Sequence, residues 1–189
     1  MFIQPGPLRG RHVLLEPLEL AHTAALQRAV ADGESWKLWY ASVPTPESMP
    51  EYVERAVQGM EQGNLAYAVC SLASGDIVGC TRYYDVDAAN RRALIGYTWY
   101  ADAARRTPVN SESKLLLLQH LFEDAGAIAG QRVGANGAAV VQIDENLDSL
   151  ANDLMALVVL DIGDEADTAT IMLVLGVVQA LRLRQSDRC

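Results

Sequence analysis

Between residues 65 and 100 the chain carries three β-rich runs, LAYAVCSL (65–72), DIVGCTRYYDV (76–86) and ALIGYTWY (93–100), joined by two short turn segments. Ala73-Ser74-Gly75 is a Gly-containing connection of hairpin length, and the stretch from Asp85 to Asn90, rich in Asp and Asn, marks the second reversal. Connections this short can only join antiparallel neighbours. A three-stranded meander is therefore the element around which everything else has to pack.

The flanking segments carry the cover. VLLEPL (13–18) reads as a short strand ended by Pro17, and Leu20, Ala24, Ala25, Leu26 and Val30 then follow helical spacing up to Gly33. Pro44, Pro46 and Pro50 interrupt the next stretch, after which MPEYVERAVQGMEQ (49–62) sets Tyr52, Val53, Ala56, Val57 and Met60 on one helical face before Gly63. Beyond the meander, SESKLLLLQHLFEDAG (111–126) is a strongly apolar helix closed by Gly126. This order predicts an α+β fold around one mixed, mostly antiparallel sheet flanked by helices.

At 189 residues the chain is expected to form a single domain, 1–189, with a core large enough to need no disulfide or structural metal. Cys70, Cys80 and Cys189 form no CxxC pair, so no zinc site is indicated and a reducing cytoplasm fits them. A formal net charge of −9 argues against nucleic acid as a partner, because phosphate neutralisation needs clustered Lys and Arg. The longest apolar run, Ile171 to Val178, is far short of the ~20 residues that span a bilayer, and no membrane partner is expected.

Past the apolar helix the composition changes. Residues 123–189 contain no Phe, Tyr, Trp, Pro, Lys or His, which sets residues 130–189 apart as a divergent C-terminal part. AAVVQI (138–143) reads as a strand beside the end of the GYTWY strand, ENLDSLANDLMAL (145–157) as a helix, VVLDIG (158–163) as a strand, DEAD (164–167) as a turn and TIMLVLGVV (170–178) as a last, buried strand.

Chemistry is most readable at the junction from Tyr97 to Lys114, where a strand ends, two arginines intervene and a helix begins. Backbone N–H groups at a helix start lack intrahelical partners and the helix dipole favours an anion there, so the loop suits a diphosphate. Arg105 and Arg106 add charge, and Asn110 or Ser111 is placed to cap the helix.

The GYTWY strand, the RRT-x-V-N loop and the N-x-E-x-K-L-L-L-L helix start follow one another at a spacing that resembles the GCN5-related N-acetyltransferases, in particular the branch related to ribosomal-protein N-terminal acetyltransferases of the RimJ and RimL kind. The resemblance extends more weakly back through LRGRHVLLEPLELAH to about Leu8. It implies transfer of an acetyl group from acetyl-CoA to a primary amine, on a protein N-terminus or a small molecule, by direct attack in a ternary complex and without a metal. The strand containing Ile95 and Tyr97 would pair with the pantetheine arm, and Arg105, Arg106, Thr107, Val109, Asn110 and Ser111 would hold the diphosphate. In the tail, Asn146-Leu147-Asp148-Ser149 matches an N-x-x-S motif of relatives, which implies Asn146 as a further cofactor contact and Ser149, near the thiol, as the candidate catalytic residue. Trp36, Trp39, Tyr40 and Trp99 are the expected acceptor-binding aromatics.

Two positions depart from the pattern. Pro108 stands where the loop of relatives has a glycine, and Leu94 where they have an acidic residue that serves as general base, so the base is unassigned. The alternatives are a non-catalytic member that binds acyl-CoA or a protein partner, and a chain whose last 60 or so residues are not the family's own. A homodimer is compatible with either. His12, His22 and His120 share no spacing and read as surface or helix-packing residues; Glu34 and Glu47, beside the aromatic stretch, read as solvated carboxylates.

Overall fold

A computed structural model describes residues 1–37, 43–127, 129–134 and 137–142. Seven strands lie in one sheet in their sequence order: β1 (Leu8–Arg9), β2 (Val13–Pro17), β3 (Leu65–Ser71), β4 (Ile77–Asp87), β5 (Arg92–Tyr100), β6 (Ala129–Gly134) and β7 (Gly137–Gln142). Every neighbouring pair is antiparallel except β5 and β6, which run parallel. The meander is β3, β4 and β5, and the mixed, mostly antiparallel sheet is the one the sequence predicts.

Both faces of β3 are buried over Leu65–Val69, which is why it reads as a nearly continuous apolar run rather than as an alternation. Helices α1 (Thr23–Ala31) and α2 (Met49–Glu61) belong to one face, where Leu18, Leu26, Val53, Ala66, Ala68, Cys80 and Trp99 form a cluster. Helix α3 (Pro108–Gln119) belongs to the other, with Leu15, Tyr67, Tyr83, Ile95, Leu117 and Leu121. Fully burying each large apolar side chain contributes about 1.5–3 kcal/mol. Tyr83 is fully buried yet satisfied, its hydroxyl donating to the Leu117 carbonyl at 2.5 Å, and burial raises its phenol well above the ordinary tyrosine value.

Three details differ from the sequence reading. The helix expected from Leu20 divides into a 3-10 turn, Leu20–His22, and α1 from Thr23. The apolar helix starts earlier, at Pro108, because a proline's fixed φ and missing N–H suit the first helical position. Its far end widens into a π turn, His120–Asp124, in which the Ala125 N–H reaches the His120 carbonyl at 3.0 Å. Gly126, at φ +68°, takes the left-handed conformation that ends it.

The larger correction concerns the neighbour of β5. That place goes to AGQRVG, with Ala129–Arg132 alongside Arg92–Ile95, and the GAAVVQ strand pairs outside it, Gly137 to Gln142 against β6. A parallel neighbour requires a crossover, supplied by α3, and the chain leaving α3 reaches the sheet at 129 before it reaches 138. The expected elements of residues 145–178, with Asn146 and Ser149, lie outside the described residues, as do Trp39 and Tyr40. No helix among the described residues is long and apolar enough to cross a membrane.

Candidate functional site

The parallel ladder between β5 and β6 ends at the Ile95–Arg132 pair. From Gly96 to Trp99, β5 has β4 on one side and no partner from β6 on the other. The sheet therefore forks in its interior. At the fork β5 also carries one surplus residue: Arg82 opposes Gly96 and Cys80 opposes Trp99, so the single residue Thr81 faces both Tyr97 and Thr98. Tyr97 absorbs this bulge with φ at +51°, a left-handed conformation uncommon outside glycine.

The loop after β5 is held by the end of α1. The Asp32 carboxylate accepts the Ala103 N–H at 2.9 Å, the Asp32 carbonyl accepts the Asp102 N–H at 3.0 Å, and Gly33 is bare because a Cβ there would come 2.9 Å from that of Asp102. Arg105, expected to face a diphosphate, bonds Ser35 Oγ at 2.7 Å and pairs with Asp102 at 3.0 Å. Arg106 is exposed, with φ at +58°.

Thr107, not Asn110 or Ser111, caps α3, its Oγ1 accepting the Val109 N–H at 3.4 Å. Val109 is buried, Asn110 exposed and Ser111 half-buried. Pro108 contributes no N–H and that of Val109 is engaged, so in the first turn the Asn110 N–H is the group that helix geometry leaves without a carbonyl four residues back. Glu112 faces the other way and ties the helix to the sheet: its carboxylate accepts the N–H groups of Arg11, His12 and Val13 at 2.9, 2.6 and 2.9 Å.

On the face shared with α1 and α2, the fork opens beside a cleft of about 350 Å³ bounded by Val43 and Pro44, by Tyr52 and Arg55 of α2, and by Arg82 and Tyr97 of the sheet. Arg82 lies between two rings, its guanidinium carbon 4.9 Å from the centroid of Tyr52 and 4.2 Å from that of Tyr97. Tyr97 in turn meets Tyr84 edge-on, centroids 5.0 Å apart, and the Tyr84 ring passes so close to Gly96 that a Cβ there would sit 2.8 Å from it. The Tyr52 hydroxyl points at Cys80 Sγ, 3.7 Å away. Burial raises the Tyr52 phenol and the Cys80 thiol, keeping both protonated at neutral pH.

On the opposite face, Lys114 is 6% exposed and donates to Thr98 Oγ1 at 2.6 Å, and the Thr98 and Thr81 hydroxyls lie 2.8 Å apart. The bulge thus presents Tyr97 to the cleft and Thr98 to a buried ammonium.

Of the expected site residues, Ile95 stands at the last rung before the fork and Tyr97 beyond it. Trp99 lies elsewhere: it is 4% exposed, in the cluster with Cys80 and Leu18. The reason is its register: Trp99 stands opposite Cys80, where the α1 and α2 side of the sheet is covered by Leu18 and Leu26. Trp36 is half-buried against the same cluster. The sequence reading passed over Arg82, Tyr52, Tyr84 and Lys114. One signal was available: Arg82 and Lys114 are charged residues set inside otherwise apolar segments, CTRYY and SKLLLL.

A family model described as acetyltransferase (GNAT) domain matches residues 12–149. Among solved structures, the chain is similar to a GCN5-related N-acetyltransferase from Brucella melitensis, with 25% identity, a TM-score of 0.59, 68% of this chain and 59% of that chain covered. It is similar to an acetyltransferase structure from T. thermophilus at 30% identity and a TM-score of 0.58, covering 70% and 68% of the two chains. At 16% identity, a Salmonella typhimurium acetyl transferase described as modifying the N-terminal serine of a 50S ribosomal subunit protein shares the fold, with a TM-score of 0.58 over 67% of this chain and 74% of that one. The chain thus spans less than two thirds of the first of these relatives. No curated protein matches the sequence.

Proposed function

Because the chain belongs to the acetyltransferase (GNAT) domain family, we propose that it transfers an acetyl group from acetyl-CoA to a primary amine. The observation that carries this reading is the fork beyond Ile95 and Arg132, next to the bulge at Tyr97. An edge in the interior of a sheet offers N–H and C=O groups to an extended arm bearing amides, in the way an added strand would use them. The diphosphate of the same ligand would meet the Asn110 N–H, the start of α3 and the Arg106 side chain.

In the reaction the amine nitrogen attacks the thioester carbonyl, the C–S bond breaks, the amine gives up a proton and the sulfur leaves as the thiol. The positive-φ turn at Tyr97 takes the β5 backbone out of its ladder at the fork, and an N–H exposed there is suited to stabilise the developing oxyanion. No carboxylate lines the cleft among the described residues, and Tyr52 and Cys80 are held protonated. We assign the amine's proton to solvent on this ground.

A second reading, binding without turnover, is favoured by the loop itself: Pro108 removes one donor, Thr107 engages another, and Arg105 is already paired. Titration calorimetry with CoA, together with thiol release from acetyl-CoA in the presence of mixed amines, decides between the two. Binding with thiol release supports transfer; binding alone supports the second reading. Arg106→Ala is expected to weaken CoA binding by about 1.5–3 kcal/mol, the value of a charge-assisted bond. Arg105→Ala is expected to weaken it as well, Ser35 and Asp102 holding that side chain at the loop.

A further inference from the structure

We propose that the cleft beside Tyr97 receives a small amine that also bears a carboxylate, with Arg82 and Arg55 as the groups that bind the carboxylate. The amine half of this statement rests on the acetyltransferase reading; the carboxylate half rests on the cleft alone.

The charge of the cleft runs against that of the chain. A molecule with a formal net charge of −9 lines this one depression with two arginines and, among the described residues, no aspartate or glutamate. Among the described residues Arg55 pairs with Glu51 alone, at 3.7 Å on its own helix, and both side chains are mostly solvent-exposed. Arg82 has no carboxylate within ion-pair distance among the described residues, and its Nε is buried without a hydrogen bond.

The stacking of Arg82 sets what it can bind. Its guanidinium carbon lies over the Tyr52 and Tyr97 rings, which hold the group by cation–π attraction and supply no carboxylate to it. The planar guanidinium fork, with its five donors, matches a carboxylate. A volume of about 350 Å³ is at the small end of ligand pockets, which suits an amino-acid-sized acceptor better than a length of polypeptide. Tyr97 is both a wall of the cleft and the bulged residue of the fork, so a ligand held here has its amine next to the proposed thioester position.

The test uses the full chain and two probes that differ only in the charged group, N-acetyl-L-alanine and N-acetyl-L-alaninamide, with binding followed by ligand-observed NMR. The carboxylate probe is expected to bind about tenfold or more tightly than the amide, and Arg82→Gln to abolish that preference. Arg55→Gln, a change on an exposed helix surface, is expected to reduce the preference while leaving the circular dichroism spectrum unchanged. Equal binding of the two probes, no binding of either, or a preference that survives both substitutions overturns the proposal. Thiol release with alanine and with alaninamide as acceptors is measured separately. Carboxylate-selective binding with no transfer to any amine would sink the acetyltransferase reading and leave the carboxylate site standing, whereas transfer to alaninamide alone would overturn the site and leave the reading standing.

Discussion

Arg82 and Lys114 are cations on opposite faces of the same strand pair, close to the same bulge, and they are held in contrasting ways. Lys114 reaches through the core to the Thr98 hydroxyl, which meets Thr81, so its charge is engaged by oxygen atoms inside the protein. Arg82 is held by ring faces, which fix its position, and its Nε is buried without a hydrogen-bond partner. A buried cation satisfied by hydroxyls fastens α3 to the sheet; a cation satisfied by aromatic faces is kept ready for an anion. The face under α3 is accordingly filled, and the face under α2 is open at the fork.

If that contrast is right, the filled face should be the fragile one. Leu117→Ala, which empties a fully buried position behind Tyr83, is expected to cost about 2–5 kcal/mol in urea denaturation. Lys114→Ala removes the bond to Thr98 and the packing of the stem, and should cost about 1–3 kcal/mol. Arg82→Gln should cost only about 1 kcal/mol, the value of its ring contacts. A larger loss at Arg82 than at Lys114 would break the comparison, because it would make the arginine the structural member of the pair.

The smallest effect is expected away from both faces, in the turn between β4 and β5. Hydrogen bonds from the Asn90 side chain and backbone, with Arg92 nearby, hold the Asp87 carboxyl below its ordinary value. A carboxylate with a lowered folded pKa stabilises the fold above its unfolded pKa, and that contribution disappears as pH falls through the folded value. The denaturation midpoints of Asp87→Asn and the unaltered chain should therefore differ slightly near neutrality and converge below about pH 4, as carboxylates protonate.

What the sequence made legible followed from periodicity. The runs at 65–72, 76–86 and 93–100 alternate or stay apolar for long enough to declare strands, and the spacing of Tyr52, Val53, Ala56, Val57 and Met60 declares α2. The fork's location at Ile95 and Tyr97 came from the likeness of GYTWY to a family pattern, not from the physics of those residues. The bulge was invisible because ALIGYTWY reads as an ordinary run with or without a surplus residue; the placement of Trp99 failed because the side chains that cover it, Leu18 and Leu26, meet it only in the folded chain. AGQRVG was missed because its glycines are depleted in strands, and tertiary pairing overrode that preference. The Arg82 stack needs a ring from α2 and a ring from β5, a meeting that exists only once the chain has folded.

Strand β5 has nine residues, and its pairing with β4 would close without one of them. Losing Tyr97 would join Gly96 directly to Thr98, keep Trp99 opposite Cys80 in the core, and leave Thr98 facing Lys114. What would disappear is a wall of the cleft and half of the cradle around Arg82. Shape and chemistry are thus separable here by a single codon, and a descendant of this chain that kept its architecture while abandoning its ligand would most simply arise by deletion rather than by substitution.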